Sequence, residues 1–212
     1  MCGVVAPKMR AMGSSHRWRP GSIEADERLL ARFVEAFEWL DNLTEPQEHP
    51  PPDELCTGIS HSSWGWLQWR PAKISTDRAE LGRIYDRIPR PFPDLYERLV
   101  LSYRWLEVNL EAFVLHANPP GPTLAGLADE IFRDSVFVDV LIPNGYVPFA
   151  RQSDACYDPL CFDLNSTKKG DCPIIRFEHE AILCHLRIGE REQVFPSFRE
   201  LIWSTIARTD ME

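Results

Sequence analysis

Apolar side chains recur along this chain at helical spacing in some stretches and at every second position in others, and the two periods divide it into elements. Between residues 23 and 42 the positions Leu29, Leu30, Phe33, Val34, Phe37 and Leu40 form one helical stripe. Ser22 before Glu24, Asp26 and Glu27 supplies a cap and an acidic first turn, so a helix is predicted there. Residues 44–58 carry Pro46, Pro50, Pro51, Pro52 and Gly58, which stop the helix and read as a stiff linker. Trp64 and Trp66 alternate about Gly65 and would share one face of a short strand, with Trp69 close by. Thr76-Asp77 then caps a stretch in which Leu81, Ile84, Tyr85 and Ile88 keep helical spacing. Pro93-Asp94 opens a further helix whose buried stripe is Leu95, Tyr96, Leu99, Val100 and Tyr103.

In the second half the period shortens. Val108, Leu110 and Ala112 alternate with Asn109 and Glu111, which predicts one strand running on into Phe113, Val114 and Leu115. A helix is expected from Leu124 to about Arg133, and Val136, Val138 and Val140 read as strand. Residues 146–150, 160–164 and 174–177 then predict a β-meander, the last two joined as an antiparallel hairpin by the polar loop 165–171. Leu160, Phe162 and Leu164 would face the core together. Pro196 followed by Phe198, Leu201, Ile202 and Ile206 predicts a closing amphipathic helix. The expected fold is α+β: a single twisted, mostly antiparallel sheet with helices packed against it, preceded by an N-terminal helical segment. Its organisation reads as a basic flexible leader (1–22), a helix and proline-rich linker (23–58), and an α+β domain (59–212).

Composition adds that 212 residues with 44% hydrophobic side chains can bury one core without disulfides or a structural metal. No run approaches the roughly 18 apolar residues of a membrane-spanning helix, so a soluble chain with no membrane partner is expected. The net charge is −9, but residues 1–22 hold Lys8, Arg10, Arg17 and Arg19 and no acid, which leaves −13 on the rest. An acidic body disfavours nucleic acid and favours basic partners. Six cysteines are too few for a disulfide framework in a chain this long, and a leader without an apolar h-region is no secretory signal. Reduced thiols and a cytoplasmic location are expected.

Familiar catalytic patterns break at identifiable residues. His179-Glu180 begins a zinc-protease helix, but Leu183 stands where the second histidine belongs, and His185 faces elsewhere. Gly58-Ile59-Ser60-His61-Ser62 lacks the second glycine of a nucleophile elbow. Ser166-Thr167-Lys168-Lys169 lies in a polar loop that would not desolvate its lysines. Cys156, Cys161, Cys172 and Cys184 are not spaced as zinc knuckles. No catalytic residue, metal or cofactor is therefore expected. Two binding surfaces are candidates: an acidic face for a protein partner, with Asp154, Asp158 and Asp171 at turns beside the hairpin, and an aromatic platform of Trp64, Trp66 and Trp69 for a small molecule or peptide. A hydrolase with an unrecognised site is the remaining alternative.

Tyr157-Asp158-Pro159-Leu160-Cys161-Phe162-Asp163-Leu164, followed after a polar turn by Gly170-Asp171-Cys172-Pro173-Ile174-Ile175-Arg176-Phe177-Glu178-His179-Glu180, resembles the central hairpin of the SUKH superfamily. That group includes fungal cell-wall synthesis regulators and bacterial immunity proteins that neutralise toxins. Residues 142–150 are similar to the strand before that hairpin, and Ser197-Phe198-Arg199-Glu200-Leu201 to its closing helix. Residues 88–103 resemble the family's proline-led helix, with Arg104-Trp105 where Asn-Gly usually follows. The resemblance covers residues 85–203 at most. It implies an α+β domain that acts by binding a protein, such as a basic toxin domain, rather than by catalysis.

Overall fold

Helix α1, Ile23–Leu40, buries Leu29, Leu30, Phe33, Val34 and Phe37, the stripe that helical spacing predicts. It opens the described part of the computed structural model, which covers residues 23–41, 43–61, 65–153 and 157–209. The basic leader lies outside those residues. The stretch expected to be only a linker carries strand instead. β1 (Thr44–Pro46), β2 (Cys56–His61) and β3 (Trp66–Trp69) form a three-stranded antiparallel sheet in the order β1-β3-β2. Pro46 is tolerated because β1 is an edge strand.

β4 (Ala72–Lys73) leads to a 3₁₀ turn at Arg78–Leu81, whose start is capped by Asp77 accepting the Ala79 N–H at 2.9 Å, and then to α2 (Gly82–Tyr85). α3 (Asp94–Ser102) buries Leu95, Tyr96, Leu99 and Val100 and runs into β5 (Tyr103–Arg104), which pairs with β4. Arg104 is fully buried at the end of α3, where its guanidinium donates to the carbonyls of Val100 (2.6 Å) and Tyr103 (2.9 Å) and to the Thr76 hydroxyl. The Asn118 amide donates to the same two carbonyls, at 3.0 and 2.8 Å. Orphan C-terminal carbonyls of a helix are thus satisfied by side chains. The Arg104-Trp105 pair that departs from the SUKH pattern is structural here, since Trp105 is also buried, with Nε1 donating to the His116 carbonyl at 2.9 Å.

The predicted strand 108–115 is in fact a hairpin, β6 (Val108–Asn109) and β7 (Phe113–Leu115). Its turn places Glu111 at φ 62 and lets the Asn109 side chain accept the Glu111 N–H at 3.0 Å, which cuts the alternation. α4 (Ala125–Ile131) follows as expected. The predicted strand at 136–140 is a helix, α5 (Ser135–Leu141), because Asp134 caps it, accepting the N–H groups of Val136 (2.9 Å) and Phe137 (3.2 Å). Then come β8 (Tyr146–Gln152), β9 (Pro159–Asp163), β10 (Ile174–Phe177), α6 (His179–His185), β11 (Arg191–Phe195) and α7 (Phe198–Thr209).

The main sheet has the order β11-β10-β9-β8-β7-β6, every neighbouring pair antiparallel, so the meander extends from β6 to β11 with β9 and β10 in its middle. It is not the only sheet, as the two small ones above show. On one face Val147, Phe149, Leu160, Phe162 and Ile174 pack with residues of α1, α3 and α7. Phe149 and Phe162 stack at 4.1 Å, with Tyr96 and Phe198 edge-on or tilted around them. On the other face Tyr146, Cys161, Ile175 and Phe177 pack with Val140 and Leu141 of α5 and Ile182 of α6. Both faces are covered, so the hairpin residues alternate between two apolar clusters rather than between core and water. No helix among the described residues is long and apolar enough to cross a membrane.

Candidate functional site

Two of the acids nominated as a docking face, Asp158 and Asp171, are half-buried and serve as internal hydrogen-bond acceptors. Asp171 accepts the N–H of Cys172 (2.8 Å) and those of Phe198 (2.9 Å) and Arg199 (3.3 Å), the first two residues of α7. Ser197 completes that cap by accepting the Glu200 N–H at 3.1 Å. Asp158 accepts the His179 N–H at 3.0 Å and lies 2.7 Å from His179 Nδ1, which ties β9 to the start of α6. Asp163 likewise caps the 3₁₀ turn after β9 through the Asn165 N–H and the Ser166 hydroxyl. Asp158 precedes β9 and Asp171 precedes the antiparallel β10, so they stand at opposite ends of the hairpin, about 16 Å apart along a five-residue strand. They do not form one patch. Asp154 lies outside the described residues.

The tryptophans are not assembled either. Trp69 is 1% exposed and belongs to the core, whereas Trp66, three residues earlier on β3, is 42% exposed. Odd spacing on a strand sends the two rings to opposite faces. Trp64 lies outside the described residues. Among the cysteines, Cys161 packs on one face of the main sheet and Cys172 on the other, so they cannot share an ion. Burial pushes both thiols up from their ordinary value. Among the described residues, no group of three His, Cys, Asp or Glu is placed to hold a metal ion.

A different set of residues does converge. Beside the β7–β8 end of the main sheet, a cavity of about 230 Å³ is lined by Pro148 and Ala150 of β8, Pro159 of β9, Ile131 of α4 and Phe137 of α5. Two ion pairs border it, Glu130 with Arg133 and Glu107 with Arg151, the latter at 2.6 Å. The Arg151 guanidinium also lies 5.8 Å from the centre of the Tyr157 ring. His116, directly after β7, lines the same space. Its backbone is fixed by its N–H to the Phe149 carbonyl at 3.1 Å and by the Trp105 indole, while its buried Nδ1 has no hydrogen-bond partner. Burial, with Arg133 and Arg151 nearby, lowers its pKa from 6.5 to about 4, so the imidazole is neutral near pH 7.

An adjoining cleft of about 310 Å³, lined by Glu45, His49 and Leu106 among others, shares Glu107, Glu130 and Arg133 with the cavity. Desolvation raises the pKa of Glu45 and of Glu130, and Glu107 raises each further by repulsion. Glu107 thus disfavours the charge of both neighbouring carboxylates across a continuous concave surface. Sequence reading misses this site because Glu107, His116, Glu130 and Arg151 span four separate elements and loops with no motif spacing. Compared with known proteins, the chain matches no family model and no curated sequence at a significant level.

Proposed function

We propose that this chain is a non-catalytic binding domain that captures a basic protein, in the way SUKH immunity proteins neutralise a toxin, and that it docks through the outward face of α1. One observation carries the docking surface. Glu24, Glu27, Glu35 and Glu38 recur at helical spacing on the side of α1 opposite its buried stripe, and all four are exposed. Trp39 stands at the end of that stripe, 73% exposed. Among the described residues Glu38 lies 3.4 Å from Arg70, in an exposed and therefore weak pair. The four glutamates outnumber Arg28 and Arg32, which are exposed on the same side, so the indole offers an aromatic anchor on a face whose net charge attracts a basic partner. The α+β fold with the 158–178 hairpin at the middle of its sheet supports the same reading.

The test is co-expression with the product of the adjacent gene, since an immunity protein and its toxin are encoded together, followed by pull-down at low salt. Wild type is expected to retain that product, and a Glu27→Gln/Glu35→Gln/Trp39→Ala variant to lose most of it. Equal capture by the two would remove α1 from the interface.

A further inference from the structure

The cavity at His116 is independent of the α1 face and has its own chemistry. Its ionisable lining comprises the carboxylates of Glu107, Glu130 and Asp134 against the guanidiniums of Arg133 and Arg151, and Glu45 adds a further acid in the adjoining cleft. Acid is in excess. Glu130 is the most shielded of the ion-paired acids here, its side chain 15% exposed, while its partner Arg133 is 67% exposed three residues along the same segment. A pair with one end in water is easily replaced. The remaining walls are apolar or aromatic: Ile131, Phe137, Pro148, Ala150 and the exposed ring of Tyr157.

We propose that this cavity binds an organic cation with a compact apolar body, the ammonium or guanidinium displacing Arg133 from Glu130 and the body lying against Phe137 and Tyr157. A neutral His116 adds no opposing charge. Aromatic faces attract the cation from the open side. A metal ion does not fit these residues, whose carboxylates and imidazole are not grouped for coordination. The same chemistry is carried by a free arylalkylamine and by an arginine side chain of a docked protein, and the two sources are separable by experiment.

Calorimetric titration of the full chain with phenethylammonium, with a blocked tripeptide centred on arginine, and with phenylacetate as the anionic control tests the site. One or both cations are expected to bind and phenylacetate not to. Glu130→Gln, which keeps shape and removes charge, is expected to weaken binding by about tenfold or more, and Tyr157→Ala by several-fold, with unchanged unfolding midpoints. Tighter binding of phenethylammonium assigns the site to a free small molecule, and tighter binding of the peptide assigns it to a partner's side chain. Failure of both cations, equal binding of phenylacetate, or full affinity in Glu130→Gln would overturn the proposal. Each of those results leaves the α1 docking test standing on its own.

Discussion

Replacing Asp171 with alanine should destabilise the fold by about 1.5 to 3 kcal/mol, a size that separates a helix cap from a surface acid. Its carboxylate accepts three backbone N–H groups, two of them at the start of α7, where it also opposes the positive end of the helix dipole. Losing an N-cap costs about 0.5–2 kcal/mol, a figure that already contains part of the charge–dipole attraction. The orphaned Cys172 N–H adds about 1 kcal/mol, because that residue is buried beneath the turn. The consequence reaches the core, since α7 begins with Phe198, which is fully buried and edge-on to Phe162 at 5.6 Å. Asp171→Asn keeps the oxygen that accepts from Cys172 and Phe198 and loses the charge, so about 1 kcal/mol is expected. Urea denaturation of wild type and both variants measures this, with the midpoint moving and the slope unchanged. An alanine variant within about 0.5 kcal/mol of wild type, the usual range for a solvated surface position, would refute the cap and return Asp171 to the pool of docking acids.

Phe162→Ala, at the centre of the stacked and tilted rings, should cost about 3 to 5 kcal/mol, and an unchanged denaturation midpoint would contradict its place in the core. Asp134→Ala should cost about 1 kcal/mol because it removes the cap of α5, whereas a strand at 136–140 would leave stability unaffected. His116 has a folded pKa of about 4 against an ordinary 6.5, so between these values the unfolded chain binds more protons and stability falls as pH falls. The groups facing it are Arg133 and Arg151, which disfavour its protonation, with Glu107 and Glu130 also lining the cavity. The loss approaches about 3 kcal/mol by pH 4 and should be largely absent in His116→Gln; identical pH profiles for the two proteins would count against a buried neutral imidazole.

Elements whose apolar period has a single interpretation were readable from the sequence: α1, α3, α7 and the 158–178 hairpin. Others carry two signals, and the local polar residue decides between them. The run Val136-Phe137-Val138-Asp139-Val140-Leu141 alternates like a strand, yet Phe137, Val140 and Leu141 also share a helical face, and the Asp134 cap selects the helix. Asn109 and Glu111 turn an apparent strand into a hairpin. β11 opens Arg191-Glu192-Gln193, which shows no apolar alternation because an edge strand faces water. Asp158 and Asp171 were expected at turns beside the hairpin, but a turn is also where a carboxylate caps a helix, and both are used that way. The cavity was illegible because its residues meet only once the sheet and α4–α5 are assembled.

The central claim is that this chain works by holding another protein without changing it chemically. Its most direct test is calorimetric titration with the purified product of the adjacent gene, at low ionic strength and at about 1 M salt, where the screening length shrinks to about 3 Å. A one-to-one complex that weakens in high salt, with the masses of both proteins unchanged, is the predicted result. No complex in either buffer, or a covalent change in the partner after mixing, would contradict the account.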